Sequence, residues 1–292
     1  MLRQFDPWNS PLCTCPRKYS LHPYTGCTHM CLYCYATAYV GRRPSQPKRD
    51  FIRRLARDLR KADPRLPVEL SSSSDPYPPE ESFFGLTRSA LKLLKAHNFR
   101  VLITTKGTLF TRDLELVDGV MVTITTLDRE LANKLEPNAP SPEERLRALQ
   151  KASEVVRVGV RIDPIIPGLN DERKVIKELL EAIRDAGAEH VVTSTYKARP
   201  DSFKRMVQAF PEMEESWRKL YYMEGAKVGG YRYLDVRLRR KIMEYVVEEA
   251  LKLGMSAATC REGFPDLLRA KSCDGTHLTL REKGISNPSL KD

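Results

Sequence analysis

Three cysteines, Cys27, Cys31 and Cys34, stand in the spacing C-x3-C-x2-C inside the run YTGCTHMCLYCYA. Thiolates are soft ligands suited to iron–sulfur clusters or zinc. Three of them within eight residues can wrap one face of a cubane cluster and leave its fourth iron open. A structural zinc site would want a fourth ligand close by, and His29 lies between the first two cysteines. A third reading has the three thiols buried as small hydrophobes. Four cysteines remain: Cys13 and Cys15 as C-x-C in the N-terminal arm, and Cys260 and Cys273 near the other end. Four is the complement of a tetrahedral zinc or a second iron–sulfur cluster, and docking of the arm on the C-terminal segment would gather them. Buried free thiols are the alternative. His277, inside CDGTHL, is a spare ligand or a substrate contact.

The elements that must position these residues follow from the apolar pattern. Phe51, Ile52, Leu55, Leu59 and Ala62 recur at helical spacing, so 50–62 reads as a surface helix. PVELS (67–71) reads as a short strand ended by the Ser- and Pro-rich run SSSSDPYPPEE. A helix from Ser82 to about His97 precedes RVLITT (100–105), a buried-strand pattern, and a short helix over 111–117 precedes the strand GVMVTITT (119–126). Ser141, Pro142 and the following glutamates open a helix to Ser153. VVRVGVRID (155–163) and HVVTST (190–195) are strands around a helix that ends near Gly187. With a first strand just before the cysteine loop, this alternation predicts an α/β fold of about six parallel βα repeats. Beyond Arg199 the pattern is helical and basic, over about 201–209, 212–223 and 235–253. The division expected is an irregular arm over 1–18, a barrel over 19–197 and a helical C-terminal extension over 198–292.

The cysteine spacing, with Tyr33 just before its last member, resembles the signature of the radical S-adenosylmethionine (SAM) superfamily. PYTGCTHMCLYCYA followed by SSSSDPYPPEE resembles its spore photoproduct lyase-like branch, and the resemblance spans roughly residues 19–195. It implies a partial (β/α)6 barrel with a 4Fe–4S cluster on Cys27, Cys31 and Cys34, and SAM held by its amino and carboxylate groups on the open iron. It also implies an electron donor such as ferredoxin or flavodoxin, reductive cleavage of SAM to methionine and a 5′-deoxyadenosyl radical, and hydrogen abstraction from an unactivated carbon. Carried onto this chain, the resemblance places Ser72, Ser74 and Asp75 at the SAM amino group and Lys106 against its carboxylate. Thr123 and Thr125 fall at the ribose, Tyr33 at the adenine, and Arg161 with Asp163 where the fifth strand meets PIIPG. Tyr35 is a candidate hydrogen relay. The plain readings are a polar turn, a solvated lysine and ordinary strand threonines. One departure stands: spore photoproduct lyases carry a hydrogen-donating cysteine near the position of Ser72, whereas no cysteine lies between Cys34 and Cys260 here. Spore photoproduct repair itself is therefore not the expected reaction.

Across 292 residues, 49 Lys and Arg stand against 38 Asp and Glu, a net charge of +11, which favours an anionic partner. Between Arg42 and Lys61 there are nine basic residues against Asp50 and Asp58. Arg199 to Lys241 interleaves basic residues with Trp217, Tyr221, Tyr222, Tyr231 and Tyr233, a composition that can hold phosphates and stack bases or simply form a core with a solvated skin. A nucleic acid, RNA or DNA, is the expected substrate. A peptide or small metabolite is the alternative, and a non-catalytic zinc-stabilised binding protein is the third class. No run of about 18 apolar residues exists, so no membrane partner is expected. The opening MLRQFDPWNSPLC lacks the apolar segment of a signal peptide, and the expected location is cytoplasmic. Only four Gln and six Asn beside 30% charged residues suit a thermophile.

Overall fold

Runs such as RVLITT and HVVTST carry apolar or β-branched side chains on both faces, the pattern of strands covered from both sides. In the computed structural model, which describes residues 1–5, 12–71 and 73–280, these runs form one eight-stranded sheet. Its members are β1 (Arg3–Gln4), β2 (Tyr19–Leu21), β3 (Val68–Leu70), β4 (Val101–Thr105), β5 (Gly119–Thr123), β6 (Arg157–Ile165), β7 (His190–Thr195) and β8 (Ser256–Thr259). They neighbour one another in chain order; β1 is antiparallel to β2 and every other pair is parallel. The sheet does not close, because β1 and β8 are its two edges.

Crossover helices cover the outer face: α1 (Phe51–Leu59), α2 (Leu86–Ala96), α3 (Arg129–Leu135), α4 (Pro142–Ser153), α5 (Arg173–Asp185), α6 (Pro200–Ala209) and α7 (Val236–Lys252). Ile103, Val120, Val122, Val160 and Val191 point outward into one core with Leu91, Leu149, Leu180 and Val246 of those helices. Ser141 and Glu144 close a reciprocal capping box at the start of α4, with Pro142 in its first turn.

The residues of opposite parity face inward. Near the strand starts Leu102, Met121 and Val192 pack on Leu278, which belongs to a short 3-10 turn, Thr276–Thr279, at the end of the described chain. Gly159 is required there, since a Cβ would stand 2.6 Å from Met121 Sδ and 2.8 Å from the His190 carbonyl. Near the strand ends the inward set turns polar: Glu69, Thr104, Thr123, Arg161, Asp163 and Ser194. The interior thus has an apolar floor and a polar mouth at the C-terminal ends of the strands.

The parallel sheet has seven strands where the pattern suggested about six. The added one, β8, lies beyond residue 197; its sequence, SAAT, has no bulky apolar residue to announce a strand. The helix expected from Ser82 is broken at Gly85, whose φ of 54° places it in the left-handed region. Ser82 donates its hydroxyl to the Pro79 carbonyl and does not cap the long helix. Residues 111–117 wind into 3-10 turns, and 212–223 divides into 3-10, α and π segments.

His22 follows β2. Burial, aided by the charges of Lys48 and Arg3, pushes its imidazolium down to about 4. The unfolded imidazole titrates near 6.5, so the contribution of neutral His22 is whole above that value and drains away as pH falls towards 4. A His22→Gln variant should lose about 2–3 kcal/mol less stability than the parent between those limits, read by urea denaturation. Parallel pH profiles for the two proteins would refute this.

Candidate functional site

The loop that joins β2 to α1 carries Cys27, Cys31 and Cys34 and contains little regular structure, so its backbone groups must be satisfied from outside. Gly26 opens it at φ 77°; a Cβ there would meet the Pro44 carbonyl at 2.4 Å. Cys27 N donates to the Arg43 carbonyl at 2.9 Å, and Leu32 N donates to the Leu135 carbonyl at the end of α3. Thr28 N donates to Ser45 Oγ while Ser45 N donates back to Thr28 Oγ1, which itself donates to Glu80 at 2.6 Å. From α6, Arg205 donates to the carbonyls of Leu32 and Cys34 and to Thr37 Oγ1, each at 3.0 Å, and is held by Asp201.

His29 was the available fourth zinc ligand, and the structure uses it otherwise. Its Nε2 faces Asp75 at 3.3 Å and its Nδ1 faces the Asn138 carbonyl at 3.3 Å. The loop therefore offers three thiols and no fourth ligand, the donor set of a cluster with one open iron. Burial raises the Cys27 thiol to about 12 and Cys31 well above its ordinary range, so these groups ionise against a cation and not against water. Among the described residues no three of His, Cys, Asp or Glu surround a single-ion site.

Asp75 lies beside this loop with both oxygens engaged. Oδ1 accepts from Tyr77 N at 2.9 Å and Thr105 Oγ1 at 2.5 Å; Oδ2 accepts from Lys106 N at 2.8 Å and faces His29. Burial opposes its charge, yet His29, Thr105 and the Lys106 amide bring it down to about 2. Ser74 donates to the Gly26 carbonyl at 2.6 Å. Both residues, expected at the SAM amino group, are engaged with protein and fix the loop. Ser72 lies outside the described residues.

The opposite wall is a network that the sequence did not announce. Tyr33 donates its hydroxyl to the buried Glu136, which pairs with Arg145 at 2.5 Å and accepts from Thr125 Oγ1 at 3.2 Å. Arg145 also donates to the Thr123 carbonyl at 2.9 Å. Thr123 and Thr125 thus belong to the wall, with the Thr125 hydroxyl engaged. Glu136 sits in LEPNAP with no motif around it, and Arg145 reads as one more helical arginine; only the fold brings them beneath the cysteine loop. Lys106 Nζ lies 5.5 Å from the Tyr33 ring centroid. Burial works against its charge, but Cys31 and Glu136 outweigh that and raise its pKa. Lys106 forms no ion pair among the described residues, whereas the neighbouring Arg145, Arg161 and Lys197 each have a carboxylate.

Arg161 donates to Asp163 at 2.6 Å, and Asp163 accepts from Ser194 at 2.5 Å, on the inward face of β6 and β7. Tyr35 packs edge-on to Tyr39 and Tyr231 at 6.2 Å, with the Arg261 guanidinium 5.9 Å from its ring centroid. Burial raises its phenol above the usual range. Trp217, Tyr221, Tyr231 and Tyr233, read as candidates for stacking bases, are buried; Tyr222 alone of the five is exposed, at 37%. Trp217 donates to the Pro167 carbonyl at 2.9 Å, a core role. Of the four outlying cysteines, Cys15 and Cys273 meet, with their sulfurs 3.6 Å apart.

Residues 21–180, more than half of the chain, match the Radical SAM superfamily, and the protein belongs to that family. It is a radical SAM enzyme, a class that uses a 4Fe–4S cluster and SAM and needs an electron donor. Solved structures of spore photoproduct lyase share its fold. The form bound to dinucleoside spore photoproduct aligns with a TM-score of 0.64 at 17% identity, over 82% of this chain and 75% of that one. An uncharacterized protein of Mycobacterium tuberculosis is 29% identical over 231 residues, 70% of this chain and 68% of its own. Uncharacterized proteins of Acidianus two-tailed virus and Methanocaldococcus jannaschii are each 33% identical, over 54% and 55% of this chain and 59% and 65% of theirs. Among the described residues no helix is long and apolar enough to cross a membrane.

Arg205 binds the cysteine loop through several hydrogen bonds from a charged donor, each worth about 1.5–3 kcal/mol. Arg205→Ala should lower the apparent affinity for the cluster by roughly tenfold or more in a reconstitution titration. Arg205→Lys should not restore it, because an ammonium cannot span the two carbonyls. Iron retention equal to the parent would exclude this role.

Proposed function

We propose that this enzyme abstracts hydrogen from a nucleic acid, RNA or DNA, in modification or repair, and that spore photoproduct is not its substrate. When bound, the cluster and SAM supply one-electron cleavage of the sulfonium and a carbon radical strong enough to take hydrogen from an unactivated carbon. Cys27, Cys31 and Cys34 hold the cluster. Lys106 meets the SAM carboxylate. The observation that carries this assignment is an ammonium beneath the cysteine loop that has no ion-pair partner among the described residues, in a wall where Arg145, Arg161 and Lys197 are paired. An incoming carboxylate completes the charge balance of that wall.

The remaining candidates take graded parts. Tyr33 borders the adenine, its phenol fixed by Glu136. Thr123, Thr125 and Arg161 line the ribose and adenine side, while Ser74 and Asp75 position the loop from behind. Tyr35 is the hydrogen relay: its buried phenol stays protonated and so keeps a hydrogen to give.

The substrate reading rests on charge at the mouth. Arg49 and Arg53, 96% and 81% exposed, stand at the start of α1, and Arg57 is exposed one turn further on. Arg42 and Arg43, just before them, reach back to the Met30 carbonyl and Thr25. Guanidinium groups beside a substrate opening suit phosphodiesters. A dinucleoside is also what the fold neighbour spore photoproduct lyase is named as holding.

Cys31→Ala should abolish both iron binding and SAM cleavage. Lys106→Ala should keep its iron yet bind SAM about tenfold more weakly, a loss of roughly 1.4 kcal/mol by calorimetric titration. Unchanged SAM affinity would remove Lys106 from the site. Binding of single-stranded RNA or DNA should weaken at least about tenfold between roughly 50 and 200 mM salt, and Arg49→Glu with Arg53→Glu should flatten that dependence. Binding indifferent to salt would move the assignment to a peptide or small metabolite.

A further inference from the structure

Phe83 and Phe84 are 89% and 56% exposed, and the chemistry of the cluster loop uses neither. Phe83 is the most exposed large hydrophobic side chain among the described residues. Surface hydrophobes scattered singly are ordinary; two adjacent phenyl rings standing in water are not. The turn that carries them, Glu81–Phe84, is firmly held. Glu81 is fully buried, accepts from the Tyr24 hydroxyl at 2.5 Å and from Thr87 N at 2.8 Å, and pairs with Arg112 at 3.0 Å. Thr87 donates its hydroxyl to the Pro76 carbonyl at 2.5 Å. A rigid base thus holds both rings out.

Their place is the rim of the mouth. The turn lies between the C-terminal end of β3 and the start of α2, on the side of the sheet where the polar mouth opens. Glu80, beside it, accepts from Thr28 Oγ1 next to Cys27. Because β2 and β3 are parallel neighbours, the helices that follow them begin at the same end, and α1 packs against α2. The start of α1 brings the exposed Arg49 and Arg53 to this rim. Two guanidinium groups share Asp50, while Glu81 is engaged with Arg112, so the rim beside the rings is positive.

Rings beside guanidinium groups match a nucleic-acid strand, whose phosphates pair with the cations while its bases stack on the rings. A specific protein interface needs about 1,000 Å² or more, and two rings bordered by the exposed Ser82 and Ser89 do not supply an apolar centre for one. In a duplex every base face is covered by its neighbours, so the rings can stack only on bases that are unpaired or turned out. We propose that Phe83 and Phe84 form a stacking platform for unpaired bases, which makes single-stranded or locally unpaired nucleic acid the preferred substrate. This rests on the nucleic-acid reading above and narrows it.

The test uses the full chain with its cluster and fluorescein-labelled strands of about 12 nucleotides, DNA and RNA, beside the corresponding blunt duplexes. The parent should bind the single strands roughly tenfold or more tightly than the duplexes. Phe83→Ala with Phe84→Ala should weaken single-strand binding by roughly tenfold or more. Duplex affinity, iron content, SAM affinity and the slope of binding against salt should stay as in the parent, since the rings carry no charge. Phe83→Trp should keep the parent's affinity, and its added indole emission should be quenched as strand is titrated in. Single-strand affinity unchanged in the alanine variant, an equal loss for the duplexes, or no quenching of the added indole would each overturn the platform and leave salt-dependent nucleic-acid binding standing. A parent that binds none of these probes would remove the nucleic-acid reading itself, and the platform with it. Should the alanine variant slow cluster reduction by reduced flavodoxin while reduction by dithionite and strand binding hold, the rings dock the electron donor and the proposal falls.

Discussion

A single buried carboxylate fixes where the three sulfurs can be. Asp75 ties three segments together: the cysteine loop through His29, the end of β4 through Thr105 and the Lys106 amide, and its own turn through Tyr77. An irregular loop gains no hydrogen bonds from a ladder or helix, so its conformation is set by partners elsewhere. Asp75 supplies the central ones. Its charge survives burial because three donors and the facing His29 imidazole surround it, and these groups are thereby fixed in place. His29 cannot then turn to a metal without leaving that carboxylate buried and short of a partner, a loss on the order of several kcal/mol. The open position of the cluster is thus protected by what the neighbouring imidazole is already doing.

Charge balance extends that constraint through the mouth. Carboxylates and cations meet there in compensated sets: Glu136 with Arg145, Asp163 with Arg161, and Glu262 with Lys197 and Arg239. In a poorly hydrated interior an unmatched charge is costly, and matching it is correspondingly favourable. The Lys106 ammonium, without an ion pair among the described residues, and the buried thiols Cys27 and Cys31 are complementary deficits. Cluster iron satisfies the thiolates and an anionic ligand satisfies Lys106, so assembly of the site and binding of its ligand draw on one electrostatic source.

Much of this was legible from sequence, for reasons that can be named. The cysteine spacing marks itself, because ligands in one loop need no fold to bring them together. RVLITT, HVVTST and the Ser141 cap produce the elements their patterns imply, since each is decided locally. What the sequence concealed depends on contacts between distant residues. Glu136, Arg145 and Arg205 carry no signature; each matters only because a helix or loop from a later repeat lies against the cysteines. Asp75 was visible as a candidate but with a different role, since a carboxylate in a polar turn looks the same whether it faces a ligand or an imidazole. The aromatic residues near Trp217 misled in the common way: basic and aromatic residues interleave on an amphipathic helix whenever one face is core.

The floor of the barrel explains why the polar mouth can work at all. Seven parallel strands that fail to close leave an interior open to water at both ends, and hydration would screen the interactions on which the mouth depends. The tail answers this by sending Leu278 between Leu102, Met121 and Val192, while Gly159 keeps the backbone clear for Met121. The segment that supplies Leu278 is the one anchored by Asp274 to Lys18, next to Cys273. Sealing the floor and holding the arm are therefore one structural act. A loosened tail would admit water beneath Lys106 and Arg161 and weaken the electrostatics of the mouth without altering any residue in it.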